Sequence, residues 1–151
     1  MSKTPAASSA AKQRLRLWLR LLKASRHLEA ALRDRMRREF DTTLPRFDVL
    51  AMLHRSADGL TMSRLSAELM VSNGNVTGLV DRLEREGAVE RVAVAGDRRA
   101  ALVRLTPQGR KDFERMAAVH EQWVAELLGD LSDTDVEQAS TLLAQIKGDQ
   151  T

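Results

Sequence analysis

A mainly α-helical chain carrying one small β-hairpin is predicted by three features of the sequence. Apolar residues recur at helical spacing over most of its length, a Val-rich stretch after Gly87 switches to a period of two, and helix caps and turn residues separate these stretches. The apolar content of 43% comes mostly from Leu, Ala, Val and Met, with 3% aromatic residues and no Tyr, which suits helices better than a sandwich or barrel. A length of 151 residues is enough for one core and leaves little room for a second.

The elements follow in order. Residues 1–10 are polar, small and expected to be disordered. Leu15, Trp18, Leu22, Leu28, Leu32, Met36 and Phe40 then mark one long amphipathic helix whose spacing is interrupted only around Ser25. Thr42-Thr43-Leu44-Pro45 stops it and starts a second helix, with Phe47, Leu50 and Leu53 inward and an end near Ser56. After the turn Ala57-Asp58-Gly59, Thr61 caps a third, short helix with Met62, Leu65 and Leu69 inward. Ser72 caps a fourth, running to about Glu86, with Val76, Leu79 and Leu83 inward and Gly87 as its stop. Val89 to Val94 and Ala101 to Leu105 read as the two strands of a hairpin around a Gly-Asp turn. Thr106-Pro107 opens a helix with Phe113, Met116, His120, Trp123 and Leu127 on one side, closing at Gly129. Ser132 caps the last helix, with Asp135 completing a capping box, Leu131 against Val136 as a staple, and Leu142, Leu143 and Ile146 inward.

Composition narrows the function classes. No Cys is present, which removes disulfides, thiolate metal sites and cysteine redox chemistry. The N-terminus lacks the apolar core of a signal peptide, and no stretch is long and uncharged enough to span a bilayer, so a cytoplasmic protein is expected. The net charge of +3 hides an asymmetry: Lys12 to Glu39 holds ten basic and three acidic residues, whereas Asp112 to Thr151 holds two basic and nine acidic. These complementary ends favour packing the first helix against the last two. The apolar stripes they carry are broader than the small central region can cover, and a two-fold dimer is the simplest solution. An enzyme is not expected, since there is no nucleophile elbow, no Gly-rich phosphate loop after a strand and no paired carboxylates at an expected pocket. His27, His54 and His120 are scattered without carboxylate or Cys partners, so no metal site is expected.

Two short helices joined by Met70-Val71 and followed at once by a hairpin make a winged helix-turn-helix, a shape that puts one helix in the major groove of DNA and the hairpin along the backbone or minor groove. Ser72, Asn73, Asn75, Thr77 and Arg82 on the fourth helix are donors and acceptors suited to base edges or phosphates. Asp97-Arg98-Arg99 at the hairpin tip sets two guanidinium groups beside a carboxylate that can orient them for a narrow minor groove. As an isolated pair these arginines would only solubilise a loop; behind a helix-turn-helix they point to DNA. A winged helix used solely for protein contacts fits the same outline, and salt dependence separates the two.

The run from Thr61 to Leu105 closely resembles the MarR family of bacterial regulators. It carries Thr77 inside the recognition helix, the exit Leu83-Glu84-Arg85-Glu86-Gly87, the wing Asp97-Arg98-Arg99 and the following Leu105-Thr106-Pro107-Gln108-Gly109. It departs from the family at Gly78, where relatives commonly hold a basic residue, and at Ala93-Val94-Ala95-Gly96, usually polar and Pro-containing. The resemblance implies a homodimeric, ligand-responsive regulator, with residues 41–106 as the DNA-binding region between dimerisation segments 11–40 and 107–151, and a repressor is expected because a dimer covering a promoter blocks polymerase. A pseudo-palindromic operator with half-sites about 10 bp apart is expected. It also implies an effector site where the first, second and Thr106 helices converge, with Arg26, His27, Arg46, His54 and His120 as candidates. FDTTLPRFDVLAML and VSNGNVTGLV are similar to the branch controlling aromatic acid catabolism, which implies an aromatic carboxylic acid or its acyl-CoA thioester as effector. Arg16, Arg20, Lys23 and His27, along one side of the first helix, could receive a CoA tail or could simply be a solvated face.

Overall fold

The computed structural model describes residues 9–69, 73–94 and 96–146, with the backbone alone at 73–74 and 97–100. Six helices and three short strands follow in the order α1 (Ser9–Phe40), α2 (Leu44–Arg55), β1 (Leu60–Thr61), α3 (Met62–Leu69), α4 (Asn73–Arg85), β2 (Val89–Val94), β3 (Asp97–Leu105), α5 (Pro107–Leu127) and α6 (Asp133–Ala144). None of the helices among the described residues is long and apolar enough to cross a membrane.

Local chemistry sets most of the boundaries. The Thr43, Thr106 and Ser132 hydroxyls each accept from the backbone N–H three residues on, and Pro45 and Pro107 lie in first turns. The Asp135 carboxylate returns the bond to the Ser132 N–H, completing the expected capping box. α4 ends in a Schellman motif, with the Gly87 N–H donating to Glu84 O and the Ala88 N–H to Leu83 O; this needs φ +78° at residue 87, which glycine adopts without strain.

Several expectations are corrected. α1 is one helix through Ser25, as expected, but it is already helical at Ser9, inside the segment expected to be disordered. A strand the sequence pattern did not reveal, β1, pairs Leu60 with Val103 and Thr61 with Leu102, so the hairpin is part of a three-stranded antiparallel sheet of order β1-β3-β2. Two residues are too short to register a period. On α4 the third buried position is Val80, fully buried, while Leu79 is only partly so. β3 begins at Asp97 rather than Ala101. Leu142, Leu143 and Ile146 do not point inward: within one chain they are exposed, Leu142 by 63%, and α6 buries nothing. Leu15 and Trp18 at the other end are each 56% exposed, together with Leu17 and Leu19.

One core joins the parts. Met36 of α1, Phe47, Leu50 and Leu53 of α2, Leu65 of α3, Val76, Val80 and Leu83 of α4, Val89 and Val103 of the sheet, and Phe113, Met116 and Trp123 of α5 form a continuous buried cluster. Its tightest point is a backbone crossing. The Thr106 N–H donates to Ala88 O at 3.1 Å, the Thr106 hydroxyl donates to Gly87 O at 2.6 Å, and the same hydroxyl accepts from the Gly109 N–H at 3.0 Å. A Cβ on Gly109 would overlap the Ala88 carbonyl oxygen and stand 2.7 Å from its carbon. Gly109→Ala is therefore expected to destabilise the fold by about 2 kcal/mol or more, read as a lower urea midpoint, because two backbones must separate to admit one methyl.

Candidate nucleic-acid interface

α3 and α4 form the helix-turn-helix. Burial of Val76, Val80 and Leu83 fixes the rotation of α4 and turns Asn75, Thr77, Gly78 and Arg82 outward, all exposed. The helix thus presents an amide, a hydroxyl and a guanidinium on its outer face. At Gly78 there is nothing within 4 Å of where a Cβ would sit, so a duplex could approach the helix backbone here. Asn73 is placed on the first turn by its backbone, and Ser72 lies outside the described residues.

The hairpin is fastened to this helix. Arg91 of β2 donates to Asp81 at 2.6 Å and to Glu84 at 2.7 Å, both on α4, while Arg104 and Glu90 bridge the two strands at 2.6 Å. Arg91 is less than one third exposed, so its two-carboxylate contact is sheltered on the protein side. Sequence spacing alone does not announce this clamp, since Asp81, Glu84 and Arg91 fall in two different elements. Only a helix-then-strand reading with explicit face assignment could have found it.

At the tip, the ladder runs regularly from Val89 opposite Leu105 to Ala93 opposite Ala101, and then shifts, so that Val94 faces Asp97. Residues 98–100 are an excursion of β3 outside this pairing. Backbone placement therefore puts Asp97 on the strand beside the turn and Arg98 and Arg99 in the bulge.

The effector candidates do not converge on one point. Arg16, Arg20, Lys23, Arg26 and His27 are exposed along the first two thirds of α1. His54 of α2 meets Glu114 of α5 at 3.1 Å and packs on Phe113 with ring centres 5.0 Å apart. His120 of α5 stacks on Phe47 at 4.7 Å. Desolvation there pushes the His120 imidazole below its usual range, and the charge of nearby Asp48 offsets this in part. Arg46 at the start of α2 pairs with Glu86 beyond α4 and lines a cleft of about 380 Å³ between α1, α2, α4 and α5, together with Phe40, Leu50, Arg115 and Met116. Its Nε is buried without a hydrogen-bond partner among the described residues. Arg115 lies over the Phe40 ring, 5.5 Å from its centre. No group of three His or carboxylate side chains among the described residues could hold a metal ion.

Known proteins share this arrangement. A sequence model described as the MarR family matches residues 40–100. The transcriptional activatory protein BadR of Rhodopseudomonas palustris is 38% identical over 107 residues, covering 69% of this chain; the match spans 61% of BadR, less than two thirds of its length. The crystal structure of a MarR family transcriptional regulator from Silicibacter pomeroyi is similar with a TM-score of 0.76 at 37% identity, over 92% of this chain and 96% of that one. The S. aureus MepR–DNA complex gives a TM-score of 0.70 at 25% identity, over 86% of this chain and 93% of that one. These relatives are regulators rather than enzymes, and the near full-length match at 37% identity shows that this chain belongs to the MarR family of transcription regulators.

Proposed function

We propose that the chain works as a homodimer that binds a pseudo-palindromic duplex site, with α4 in the major groove and the β2–β3 wing reaching the adjacent backbone or minor groove. The observation that carries this reading is the exposed polar face of α4 held at a fixed angle to the hairpin by Arg91. MepR, solved with DNA, has the same fold, which supports the reading. The exposed apolar residues at the start of α1 and along α6 support self-association, because they are stripes that no other part of the chain covers among the described residues. A dimer lying across a promoter blocks polymerase without further equipment, which favours repression; BadR is named an activatory protein, so operator position relative to the promoter sets the sign.

The effector reading is an aromatic carboxylic acid or its acyl-CoA thioester that releases the operator. The Arg46 cleft supports it by its size, suited to a small ligand, by Phe40 and apolar side chains on part of its wall, and by the guanidinium groups of Arg46 and Arg115, which stand there among the carboxylates of Asp41, Glu86 and Asp112.

Three measurements test these statements. Replacing Arg98 and Arg99 together by Ala should weaken duplex binding on the order of tenfold or more and flatten its salt dependence, whereas unaltered affinity contradicts the wing assignment. Truncation after Gly129 should abolish the dimer in sedimentation while leaving the monomer folded, since α6 contributes no buried residue to the core; an unchanged dimer overturns the interface. A thermal-shift screen of aromatic acids and their CoA thioesters should raise Tm with at least one of them, and stabilisation only by chemically unrelated compounds removes the effector reading.

A further inference from the structure

The basic residues of α1 divide into two sets in its last third. Arg35 reaches Glu126 of α5 at 2.7 Å and Arg38 pairs with Asp34, so both are occupied within the fold. Arg33 and Arg37, one turn apart on another side of the helix, are exposed and make no ion pair among the described residues. They line a cleft of about 440 Å³ whose other walls are the α1–α2 connection, from Asp41 to Pro45, and Leu79 of α4. Leu79 lies one turn beyond Asn75 and three residues before Arg82, so the cleft borders the outward face of the recognition helix. Two guanidinium groups face one carboxylate, Asp41, leaving the rim net positive.

We infer that Arg33 and Arg37 form a backbone clamp, holding phosphates of the DNA strand that flanks the major groove entered by α4. This rests on the duplex-binding reading above and extends the contact surface from the winged region to the first helix. A phosphate suits the position for two reasons. The cleft lies beside the reading face, and a strand passing the flank of α4 brings its charge to this rim. Two long side chains separated by a turn can also follow successive phosphates, which fixes register without reading sequence. Arg82, exposed and without an ion pair among the described residues, continues the positive rim onto α4.

The test compares full-length wild type with Arg33→Ala/Arg37→Ala, measuring affinity for an operator fragment and for unrelated duplex across a salt series. Each lost phosphate contact should flatten the log–log salt slope by about 0.9, with equal loss on both duplexes because no base is read. Arg33→Lys/Arg37→Lys should restore most of the slope. Lys12→Ala/Arg14→Ala removes the same charge about 30 Å away along α1, well beyond the screening length of about 10 Å at 0.1 M, and should leave the slope unchanged. An unchanged slope in Arg33→Ala/Arg37→Ala overturns the clamp, as does an equal fall in the Lys12→Ala/Arg14→Ala control. A slope that holds while stabilisation by inorganic phosphate or CoA is lost overturns it too, making the cleft a small-anion site. Wild type that binds no duplex at any salt overturns the regulator reading with it, and that outcome is distinct from the others.

Discussion

The backbone crossing at Ala88, Thr106 and Gly109 is the constraint on which the rest of the structure depends. In a few residues it joins the exit of the recognition helix, the first residue of the hairpin, the last residue of the hairpin and the first turn of α5. A threonine hydroxyl serves as N-cap of α5 and as donor to the loop leaving α4, so the same atom ends one unit and begins the other. The Gly109 N–H it satisfies would otherwise be an orphan donor at a helix terminus. Moving α5 therefore moves the reading head, since there is no slack chain between them. On the proposed effector reading, that coupling would give a ligand held in the Arg46 cleft a mechanical route to DNA affinity without contacting the DNA.

Much of this was legible in the sequence because it is local. Thr43, Thr106, Ser132 and the prolines after the first two are cap signals whose geometry involves only neighbouring residues, and all three helices begin where those signals place them. The helix-turn-helix followed by a period-two stretch was legible for the same reason. What escaped was non-local or short. β1 exists through its pairing with β3, across some forty residues of chain, and carries no period of its own. Leu79 and Val80 exchange roles because neither periodicity nor hydrophobicity distinguishes adjacent apolar residues, and the docking of α4 on α2, α3 and β2 decides between them. The α6 stripe read as inward because an amphipathic pattern states that a face will be covered, not by which chain.

The candidate site divides in the same manner. Asn75, Thr77 and Arg82 could be assigned outward from the helical wheel, and the wing arginines from their spacing behind the helix-turn-helix. The Arg91 clamp and the Arg33 and Arg37 pair could not, since each acquires meaning from an element distant in sequence. The basic character of α1 was visible as a count; its partition into residues used up by Glu126 and Asp34 and residues left to face the recognition helix needed coordinates.

Arg91 gives the reading head one more property. With β2 tied to two successive turns of α4, the helix and wing act like the jaws of a calliper locked at one opening. On the proposed duplex-binding reading, a head braced in this way resists a groove that is too wide or too narrow, and part of the adjustment falls on the duplex. The energy of yielding depends on base steps that no side chain touches, through their stiffness and the width of the minor groove they favour. A pair of carboxylates facing away from the reading surface would thereby take part in selecting the operator.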